Sequence, residues 1–404
     1  MTGRGIIVPG QGIGIEHLAS WIGARFGGTT PAGPLVPDWL AQPLADSRSL
    51  VLLLLDGVGV RQVADHAPRG ALAQARIATL RSVFPSSTAP AITTLASGLP
   101  PHRHANPGWF AWHPGRRRIV RTLPSDCRGN PAGPFDPAEL WHWPPLAAGM
   151  SPPPTVIQPA FIAESAFSRY AYRGANRAGY RDLDELHDRI VAAVGSGEGA
   201  DAAAGGFVYA YAPQFDTTAH AHGCRSSRAG AVLLDFDALF ARLADSLAGH
   251  DALLLATADH GFVDIAPERQ LAMADHPALA GLLARPLAGE PRVAFAEPVP
   301  GARDEFLARA GESLGHAFDA HLTADLLAAG WFGEGEADPA FLVHSGSITL
   351  VGREGWSLVD SVPGESASEF IGMHGGTAPD EMLVPVAAVR RGTTLPLGGS
   401  GART

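Results

Sequence analysis

Lysine is absent from this sequence of 404 residues, which contains 30 arginines. Any phosphate group bound by the chain is therefore held by arginine, by a metal ion or by backbone amides. The formal net charge of -10 argues against a nucleic-acid coat and against a membrane-surface binder, because both need concentrated positive charge. A small nucleotide is compatible with this charge, since bound metal ions supply positive charge locally.

Cysteine and long apolar runs are also scarce. The two cysteines, Cys127 and Cys224, are far apart and show no metal-ligand spacing, so we interpret them as free thiols. The longest apolar run, residues 50–55, is far too short to span a bilayer. The first residues lack a long apolar h-region and a cleavage-site pattern. We therefore expect a globular, cytoplasmic protein with no membrane partner and no stable nucleic-acid partner.

Three apolar runs each deliver an aspartate just past their carboxyl end: residues 50–55 with Asp56, residues 206–212 with Asp216, and residues 252–256 with Asp259. Unbroken runs of this length are typical of strands buried on both faces of a sheet. Amphipathic stretches at 183–194 and 232–247 predict helices between them. This alternation predicts an α/β fold with a mostly parallel sheet flanked by helices, whose ligands bind beyond the carboxyl ends of the strands.

The order of elements changes at about residue 264. The sequence predicts strands at 292–295 and 347–351 and helices at 304–314 and 324–329. We interpret residues 264–370 as an inserted, smaller α+β cap module. Residues 1–263 and 371–404 then form the catalytic α/β domain. A second insertion, at about 100–154, is rich in proline and tryptophan and is predicted to be irregular.

The dipeptide Asp-His occurs three times, so by itself it is a weak metal signal. Only Asp259-His260 follows a buried strand and precedes a glycine, which places two ligand-type side chains at the carboxyl edge of the sheet. A capping aspartate beside a satisfied surface histidine is the alternative interpretation, and local sequence leaves it open.

Asp216 and His220 form a second candidate pair. An aspartate and a histidine four residues apart meet on one face of a helical turn and can bind one ion. His222 competes as the ligand, but in a helical turn it points elsewhere. An N-capping role for Asp216 explains the local pattern equally well.

The segment from Phe84 to Gly98 combines a hydroxyl-rich turn with a short helix that the glycine ends. Thr88 lies near the helix start, where free backbone amides suit a phosphoryl group. Coordination to a divalent metal activates such a hydroxyl as a nucleophile, but judged locally a simple N-cap explains Thr88 better. His374 lies in a glycine-rich loop, and by itself it is more typical of a turn residue than of a metal ligand.

As a set, these residues resemble the nucleotide pyrophosphatase/phosphodiesterase branch of the alkaline phosphatase superfamily. The motifs follow the family's order over roughly residues 50–385: Asp56 after a buried strand, the Thr88-Ala89-Pro90 turn running on to Gly98-Leu99-Pro100-Pro101 and His104, Asp216 with His220, Asp259-His260-Gly261, and His374-Gly375. Chance does not readily produce five separate matches in one order.

The resemblance implies two Zn²⁺ ions per chain, with Mn²⁺ or Fe as alternatives. One ion is assigned to Asp216, His220 and His374, and the other to Asp56, Asp259, His260 and the Thr88 oxygen. Two ions about 4 Å apart stabilise both the attacking and the leaving oxygen of an in-line phosphoryl displacement. The implied activity is hydrolysis of phosphodiester or pyrophosphate bonds in a nucleotide-like small molecule, through a Thr88 nucleophile and a phospho-threonine intermediate.

The sequence departs from the family pattern at three places. Ala91 stands where the diesterases have an asparagine that contacts a non-bridging phosphoryl oxygen. His104 is followed by Ala-Asn where the family favours glycine, and Asp216 is preceded by Gln-Phe where Pro-Asp is typical. Loss of one oxyanion donor typically lowers the rate by about 10²–10³. These departures leave the substrate less defined than the chemistry.

Three alternatives therefore stay open, two of them enzymatic and one outside catalysis. A threonine nucleophile is typical of the family's diesterases, but it is also compatible with phosphonoacetate hydrolase-like cleavage or phosphomonoesterase activity. A sulfatase is disfavoured, because that branch needs cysteine or serine where Thr88 stands. The alternative outside catalysis is a weakly active metal- or nucleotide-binding sensor or scaffold, which Ala91 motivates. The sequence does not specify an oligomeric state.

Overall fold

The structure is a computed structural model that describes residues 6–29, 47–129, 133–195, 205–365, 370–390 and 393–394. The strands in these ranges are β1 (Ser49–Leu55), β2 (Arg76–Arg81), β3 (Phe110–His113), β4 (Arg118–Arg121), β5 (Asp126–Cys127), β6 (Thr155–Pro159), β7 (Asn176–Tyr180), β8 (Phe207–Ala212), β9 (Ala252–Thr257), β10 (Val263–Asp264), β11 (Gln270–Ala272), β12 (Ala288–Gly289), β13 (Val293–Ala296), β14 (Phe318–Leu322), β15 (Ile348–Gly352), β16 (Ser357–Val359), β17 (Gly372–Met373), β18 (Leu383–Arg390) and β19 (Thr393–Thr394).

The α-helices of the described ranges are α1 (Ile15–Phe26), α2 (Val60–His66), α3 (Ala71–Gln74), α4 (Thr88–Ser97), α5 (Pro101–His104), α6 (Ala160–Ala163), α7 (Ala166–Ala171), α8 (Leu183–Gly195), α9 (Gln214–His222), α10 (Ser227–Ser246), α11 (Pro277–Ala280), α12 (Arg303–Leu314), α13 (Thr323–Ala328), α14 (Ala340–His344) and α15 (Pro379–Met382). Within the described part of the chain, no helix has both the length and the apolar character that crossing a membrane requires.

The main sheet has eight strands in the order β19-β18-β9-β1-β8-β6-β7, with β2 also paired to β18. The strands from β9 to β7 run parallel, whereas β18 is antiparallel to β9, β2 and β19. Helices such as α10 cover the sheet, and its buried side includes Leu233, Phe236 and Phe240. The predicted fold class, a mostly parallel sheet flanked by helices, is confirmed.

The three central strands are buried on both faces, as their apolar sequences predict. Every residue of β8 and β9 is buried, and so are residues 50–55 of β1. Strands with no polar face need neighbours on both edges and layers on both sides, which only the middle of a covered sheet provides. Apolar side chains therefore place β1, β8 and β9 side by side at the centre.

A second sheet has seven antiparallel strands in the order β14-β15-β13-β12-β3-β4-β5. Along β13 the side chains alternate between two cores. Ala294 and Ala296 face a cluster that contains Phe306 of α12, whereas Val293 and Phe295 face a cluster that contains Phe84. Because strand side chains point alternately to opposite faces, this sheet packs against α12 on one side and against the segment around Phe84 on the other.

Part of the segment at 100–154 that was predicted to be irregular forms the β3–β4 hairpin, which joins the second sheet through Gly289 and Phe110. Its strands have only four residues each and stand between prolines and glycines, so their period-two pattern is too short to detect. Strands from both insertions thus share one sheet. The domain bounds at 264 and 370 stay a prediction.

A buried ion pair links the second sheet to the main domain. Arg292, next to β13, donates from Nε and a terminal nitrogen to the two carboxylate oxygens of Glu381 on α15, at 3.0 and 2.7 Å. Both side chains are almost fully buried. The backbone nitrogen of Gly376 donates to the same carboxylate at 2.8 Å. The pair therefore fixes the β12–β13 turn relative to the loop that carries His374.

Glu381→Gln should lower the free energy of unfolding by about 3–5 kcal/mol, because it leaves the Arg292 guanidinium buried without a countercharge. Urea unfolding followed by circular dichroism measures the change. Glu305→Gln is the control, since Glu305 pairs with Arg309 on the exposed surface of α12 and should leave the unfolding midpoint unchanged. Equal midpoints for Glu381→Gln and Glu305→Gln would contradict the stabilising role of the buried pair.

Candidate active site

Three aspartates meet at one edge of the main sheet because their strands are neighbours. Strand β1 lies between β8 and β9, with Leu55 opposite Ala212 and Leu54 opposite Thr257. Asp56 follows β1 directly, and Asp216 and Asp259 lie just beyond β8 and β9. Parallel strands present their carboxyl ends on the same side, so the sheet itself brings the carboxylates together.

Two glycines allow the close approach. Gly57 has φ of +76°, and a Cβ there would lie 2.4 Å from the Phe262 ring. A Cβ on Gly261 would lie 2.1 Å from the carbonyl oxygen of Asp380. Only glycine fits at both positions, which are the residues that follow Asp56 and His260.

His260 lies at the centre of the cluster and is fully buried. Its Nε2 is 3.3 Å from an Asp56 oxygen, 3.5 Å from an Asp259 oxygen and 2.9 Å from Thr88 Oγ1. The other ring nitrogen, Nδ1, donates to the carbonyl oxygen of Gly261 at 3.0 Å. Since a carbonyl only accepts, Nδ1 carries a proton, and Nε2 is the ring nitrogen that faces the cluster.

Helix α9 supplies the second group. His220 Nε2 lies 3.3 Å from Asp216 Oδ1 across one helical turn. Its Nδ1 donates to the Gly372 carbonyl oxygen at 2.8 Å, which again leaves Nε2 free as a ligand. His222 contacts Arg228 on the exposed surface instead. The geometric choice of His220 over His222 agrees with this arrangement.

His374 reaches the cluster through a two-stranded ribbon. Strand β17 pairs with β10, which follows His260 by only a few residues, with Met373 opposite Val263. His374 Nε2 then lies 3.2 Å from His220 Nε2 and 3.6 Å from Asp216 Oδ1. Its ring stacks on the ring of His260 with centroids 3.8 Å apart.

The turn that precedes Thr88 is tied to the same loop. The backbone nitrogen of Ser86 donates to the Gly375 carbonyl oxygen at 3.1 Å, and Ser86 Oγ donates to the Gly376 carbonyl oxygen at 2.7 Å. Helix α4 begins at Thr88, after Ser87 in extended conformation. Thr88 is therefore the first helical residue, and its hydroxyl faces His260 rather than capping the helix.

The donor set fits divalent metal ions. Among the described residues, Asp216, His220 and His374 form one group whose ligand atoms lie within 4.8 Å of one another, and Asp56, Asp216 and His260 form another. One oxygen of each aspartate in the cluster is buried without a hydrogen bond: Asp56 Oδ1, Asp216 Oδ1 and Asp259 Oδ2. Buried oxygens without donors are costly unless a cation is bound there. The sheet thus brings all seven sequence-assigned positions together, although Asp259 lies outside the two tightest groups.

The pKa shifts of these aspartates and histidines also indicate a cation site. Burial, and then the neighbouring carboxylates, raise the pKa of Asp56 and of Asp259. Burial opposes the charged form of His260, but Asp259 and Asp56 outweigh it and raise its pKa to about 10. Burial together with His260 and His220 lowers the pKa of His374. Protons therefore neutralise the aspartates until a divalent cation takes their place.

A cavity of about 910 Å³ opens in front of Thr88, Asp216, His220 and His374. Its walls come from three parts of the chain: the main domain, the β3–β5 segment, and the second sheet with the residues around 359–365. Trp109 lines this cavity, whereas Trp141 and Trp143 belong to the main core. Of the four tryptophans in the proline-rich insertion, Trp109 is therefore the one that a ligand in this cavity can contact.

Several polar residues of the cavity wall carry no signal in the sequence, among them Glu290, Arg121 and Arg128. Glu290 lies in the β12–β13 turn, and Arg121 and Arg128 belong to the β3–β5 segment. Three other arginines, Arg103, Arg169 and Arg173, do not line the cavity. No local motif marks Glu290 or Arg128, because their contacts with the site depend on the pairing of two distant insertions.

A comparison with known families agrees with this geometry. The family model described as type I phosphodiesterase / nucleotide pyrophosphatase matches residues 50–377, most of the chain. The chain belongs to this family. The predicted membership is confirmed, and this type I phosphodiesterase-family chain is a phosphoric ester hydrolase. Family members depend on metal ions, and the groups around Asp216 and His260 are candidates to bind them.

No individual curated protein is similar enough to the sequence to serve as a relative. Solved structures share the fold. Murine ectonucleotide pyrophosphatase/phosphodiesterase 5 is 18% identical with a TM-score of 0.62, covering 87% of this chain and 97% of its own. An inactive variant of that protein in complex with AMP is 17% identical with a TM-score of 0.59, over the same shares of both chains.

Phosphonoacetate hydrolase from Sinorhizobium meliloti in complex with phosphonoformate is 17% identical with a TM-score of 0.61, covering 85% of this family member and 91% of its own chain. A diesterase-type protein and a phosphonate hydrolase thus match the fold of the chain to a similar degree. The fold therefore does not decide between the two activities.

Chelator-treated protein should lose thermal stability as the pH rises from about 6.5 to about 10. The raised pKa of His260 means that its stabilising contribution is fully present below 6.5 and is lost as the pH passes 10. The raised pKa of Asp259 acts in the same direction, since ionisation of this buried group is disfavoured in the folded state. Melting temperatures measured by circular dichroism in a pH series test this.

His260→Gln in the same chelated series is the control, because it removes the histidine contribution and should make the pH dependence shallower, while the contribution of Asp259 remains. Added zinc should also flatten it, since bound cations neutralise the aspartates without protons. A wild-type curve no steeper than that of His260→Gln would show that His260 does not titrate as described.

Proposed function

We propose that the protein hydrolyses phosphodiester or pyrophosphate bonds of a nucleotide-like small molecule with Thr88 as the nucleophile. The observation that carries the proposal is the position of Thr88 Oγ1, which lies 2.9 Å from His260 Nε2 and faces the cavity. His260 also contacts Asp56 and Asp259, so the hydroxyl lies at the edge of the candidate metal cluster.

The chain's own groups orient the nucleophile. Thr88 Oγ1 lies 2.9 Å from His260 Nε2, so the histidine holds the hydroxyl oxygen at the edge of the cluster. Tyr211 donates from its hydroxyl to Asp56 Oδ2, which leaves Oδ1 of that carboxylate for a cation. The Ser86 contacts with Gly375 and Gly376 keep the nucleophile turn and the His374 loop in one rigid unit.

Two backbone amides are available to a phosphoryl oxygen. Within the described residues, the backbone nitrogens of Thr88 and Ala89, in the first turn of α4, make no hydrogen bond. The third position of that turn is Pro90, which has no N–H. With Ala91 in place of the family's asparagine, these two amides supply the oxyanion contacts at the positive end of the helix.

We propose two Zn²⁺ ions per chain, with Mn²⁺ or Fe as alternatives. Asp216, His220 and His374 would hold one ion, and Asp56, Asp259, His260 and the Thr88 oxygen would hold the other. Two such ions stabilise charge on the attacking and leaving oxygens and lower the pKa of a coordinated hydroxyl. The tautomers of His260 and His220, set by carbonyl acceptors, support this assignment.

The size and walls of the cavity support a substrate larger than a simple phosphate monoester. At about 910 Å³ the cavity has the volume of a site for a nucleotide-sized ligand. Trp109 and Phe370 add aromatic surface for a planar leaving group. We propose that the cap module, residues 264–370, selects the substrate together with the β3–β5 segment.

Zinc-reconstituted protein should hydrolyse a nitrophenyl nucleoside monophosphate, which is a diester, with a higher kcat/KM than nitrophenyl phosphate. A diester carries one negative charge, and the described cavity offers no unpaired arginine for the second charge of a monoester. A clear preference for nitrophenyl phosphate would contradict diesterase activity, and preferential release of phosphate from phosphonoacetate would favour a phosphonate hydrolase.

Thr88→Ala should abolish turnover of the diester while the protein keeps its fold and bound metal, because only one oxygen near one ion is lost. Thr88→Ser should retain part of the activity, since it keeps the hydroxyl. Thr217→Ala, an exposed threonine on α9, is the control and should behave as wild type. Wild-type turnover by Thr88→Ala would exclude Thr88 as the nucleophile.

The metal assignment is tested separately by elemental analysis after zinc reconstitution. We expect two zinc ions per chain in the wild type and one in His374→Ala, because that variant removes a ligand from only one of the two proposed groups. His222→Ala removes a histidine of the same helix that faces Arg228, and it should keep two. Loss of zinc from His222→Ala, with none from His374→Ala, would overturn the assignment.

A further inference from the structure

Glu290 is a carboxylate at the nucleophile turn that belongs to neither candidate metal group. It lies in the tight turn between β12 and β13, where its backbone nitrogen donates to the Val293 carbonyl oxygen at 2.8 Å and its carbonyl oxygen accepts from the Val293 nitrogen at 3.1 Å. The adjoining Arg292 is fixed by Glu381. Glu290 is therefore held rigidly, and it lines the same cavity as Thr88.

The two oxygens of the carboxylate have different surroundings. Oε1 accepts from Ser87 Oγ and from the backbone nitrogen of Trp109. Oε2 makes no hydrogen bond with any described residue, and Glu290 is only 7% exposed. One oxygen is thus fixed at the residue before the nucleophile, while the other is left to the cavity.

Neither described arginine of the cavity wall compensates this charge. Arg121 pairs with Asp126, and Arg128 pairs with Glu365 while its guanidinium lies 3.9 Å from the centre of the Phe110 ring. Burial raises the pKa of Glu290 to about 7, so the carboxylate is ionised at alkaline pH. The part of the cavity next to Thr88 therefore carries a fixed negative charge that does not belong to the metal cluster.

We propose that Glu290 is a specificity-determining residue that disfavours dianionic phosphoryl groups, and so directs the site to phosphodiesters and internal phosphates. This inference rests on the proposed function. A terminal monoester brings nearly two negative charges beside Glu290, whereas a diester brings one. In a partly buried site this additional repulsion between like charges is weakly screened and acts against the monoester alone.

The test compares methyl 4-nitrophenyl phosphate with 4-nitrophenyl phosphate at pH 9 on zinc-reconstituted protein. The two esters share a leaving group and differ mainly in charge. Glu290→Gln should raise the kcat/KM of the monoester relative to the diester by about tenfold, because it removes a unit charge near the reacting phosphorus. The amide of glutamine can still accept from Ser87 and Trp109, so the turn stays in place.

Two variants separate charge from shape. Glu290→Asp keeps the charge and should keep a monoester-to-diester ratio near that of the wild type. Glu312→Gln changes net charge equally at an exposed position on α12 and should not alter the ratio. If Glu290→Gln leaves the ratio within about twofold of wild type, or if Glu290→Asp changes it as much, the repulsion is absent and the proposal is wrong.

Glu290→Ala, with the same expected rise, replaces Glu290→Gln if the latter does not fold. If the wild type hydrolyses neither ester, the proposed function fails by itself. Calorimetric binding of inorganic phosphate and of dimethyl phosphate to the zinc-loaded protein then makes the same comparison. Glu290→Gln should tighten the binding of phosphate selectively, and equal changes for both ligands would overturn the role of Glu290.

Discussion

The repulsion among two buried carboxylates and a third, partly buried one is the interaction on which the site depends. Asp56, Asp216 and Asp259 arrive at one point because their strands are adjacent and parallel, and the sheet cannot separate them without losing its buried core. Three such charges out of water need neutralisation by protons or cations. The surrounding histidines and the Tyr211 hydroxyl reduce this repulsion only in part, which leaves oxygens directed at the centre of the cluster without a donor.

In our proposal, the second sheet adds substrate selection to this chemistry. Strands from the proline-rich insertion and from the cap pair with each other, so the cavity wall depends on residues that are far apart in the chain. The anchor for this wall is the buried pair of Arg292 and Glu381, and the side chain next to it is Glu290. The proposed catalytic and specificity residues therefore lie on different sheets that meet at Thr88.

The sequence predicted elements of the fold where a run or repeat of residues, such as a buried strand or a helical spacing, was long enough to detect. The buried runs of β1, β8 and β9 indicated the sheet and placed Asp56 and Asp259 at its edge. Helical spacing favoured His220 over His222, and the structure places His220 beside Asp216. For His374 and Thr88, local patterns favoured ordinary turn or capping roles, and only the family resemblance set them apart.

The remaining features depend on pairing between distant segments, which no local pattern reports. The β3–β4 hairpin has strands too short to show alternation, and Glu290 becomes part of the site only when β12 pairs with β3. The tryptophans illustrate the same limit. Trp109 and Trp141 occur in one segment of similar composition, yet one lines the cavity and the other is in the core.

Strand β18 has a consequence for how the molecule assembles. It pairs with β2 and β9, so its neighbours precede it by about 300 and about 130 residues, and chain connections this long make contact formation slow. The ribbon that carries His374 lies just before β18 in the chain. During synthesis, the ribosome therefore releases the aspartates of β1, β8 and β9 long before the segment that completes their surroundings. In that interval the nascent chain exposes an unpaired edge of β9, and a chaperone that shields strand edges would act there.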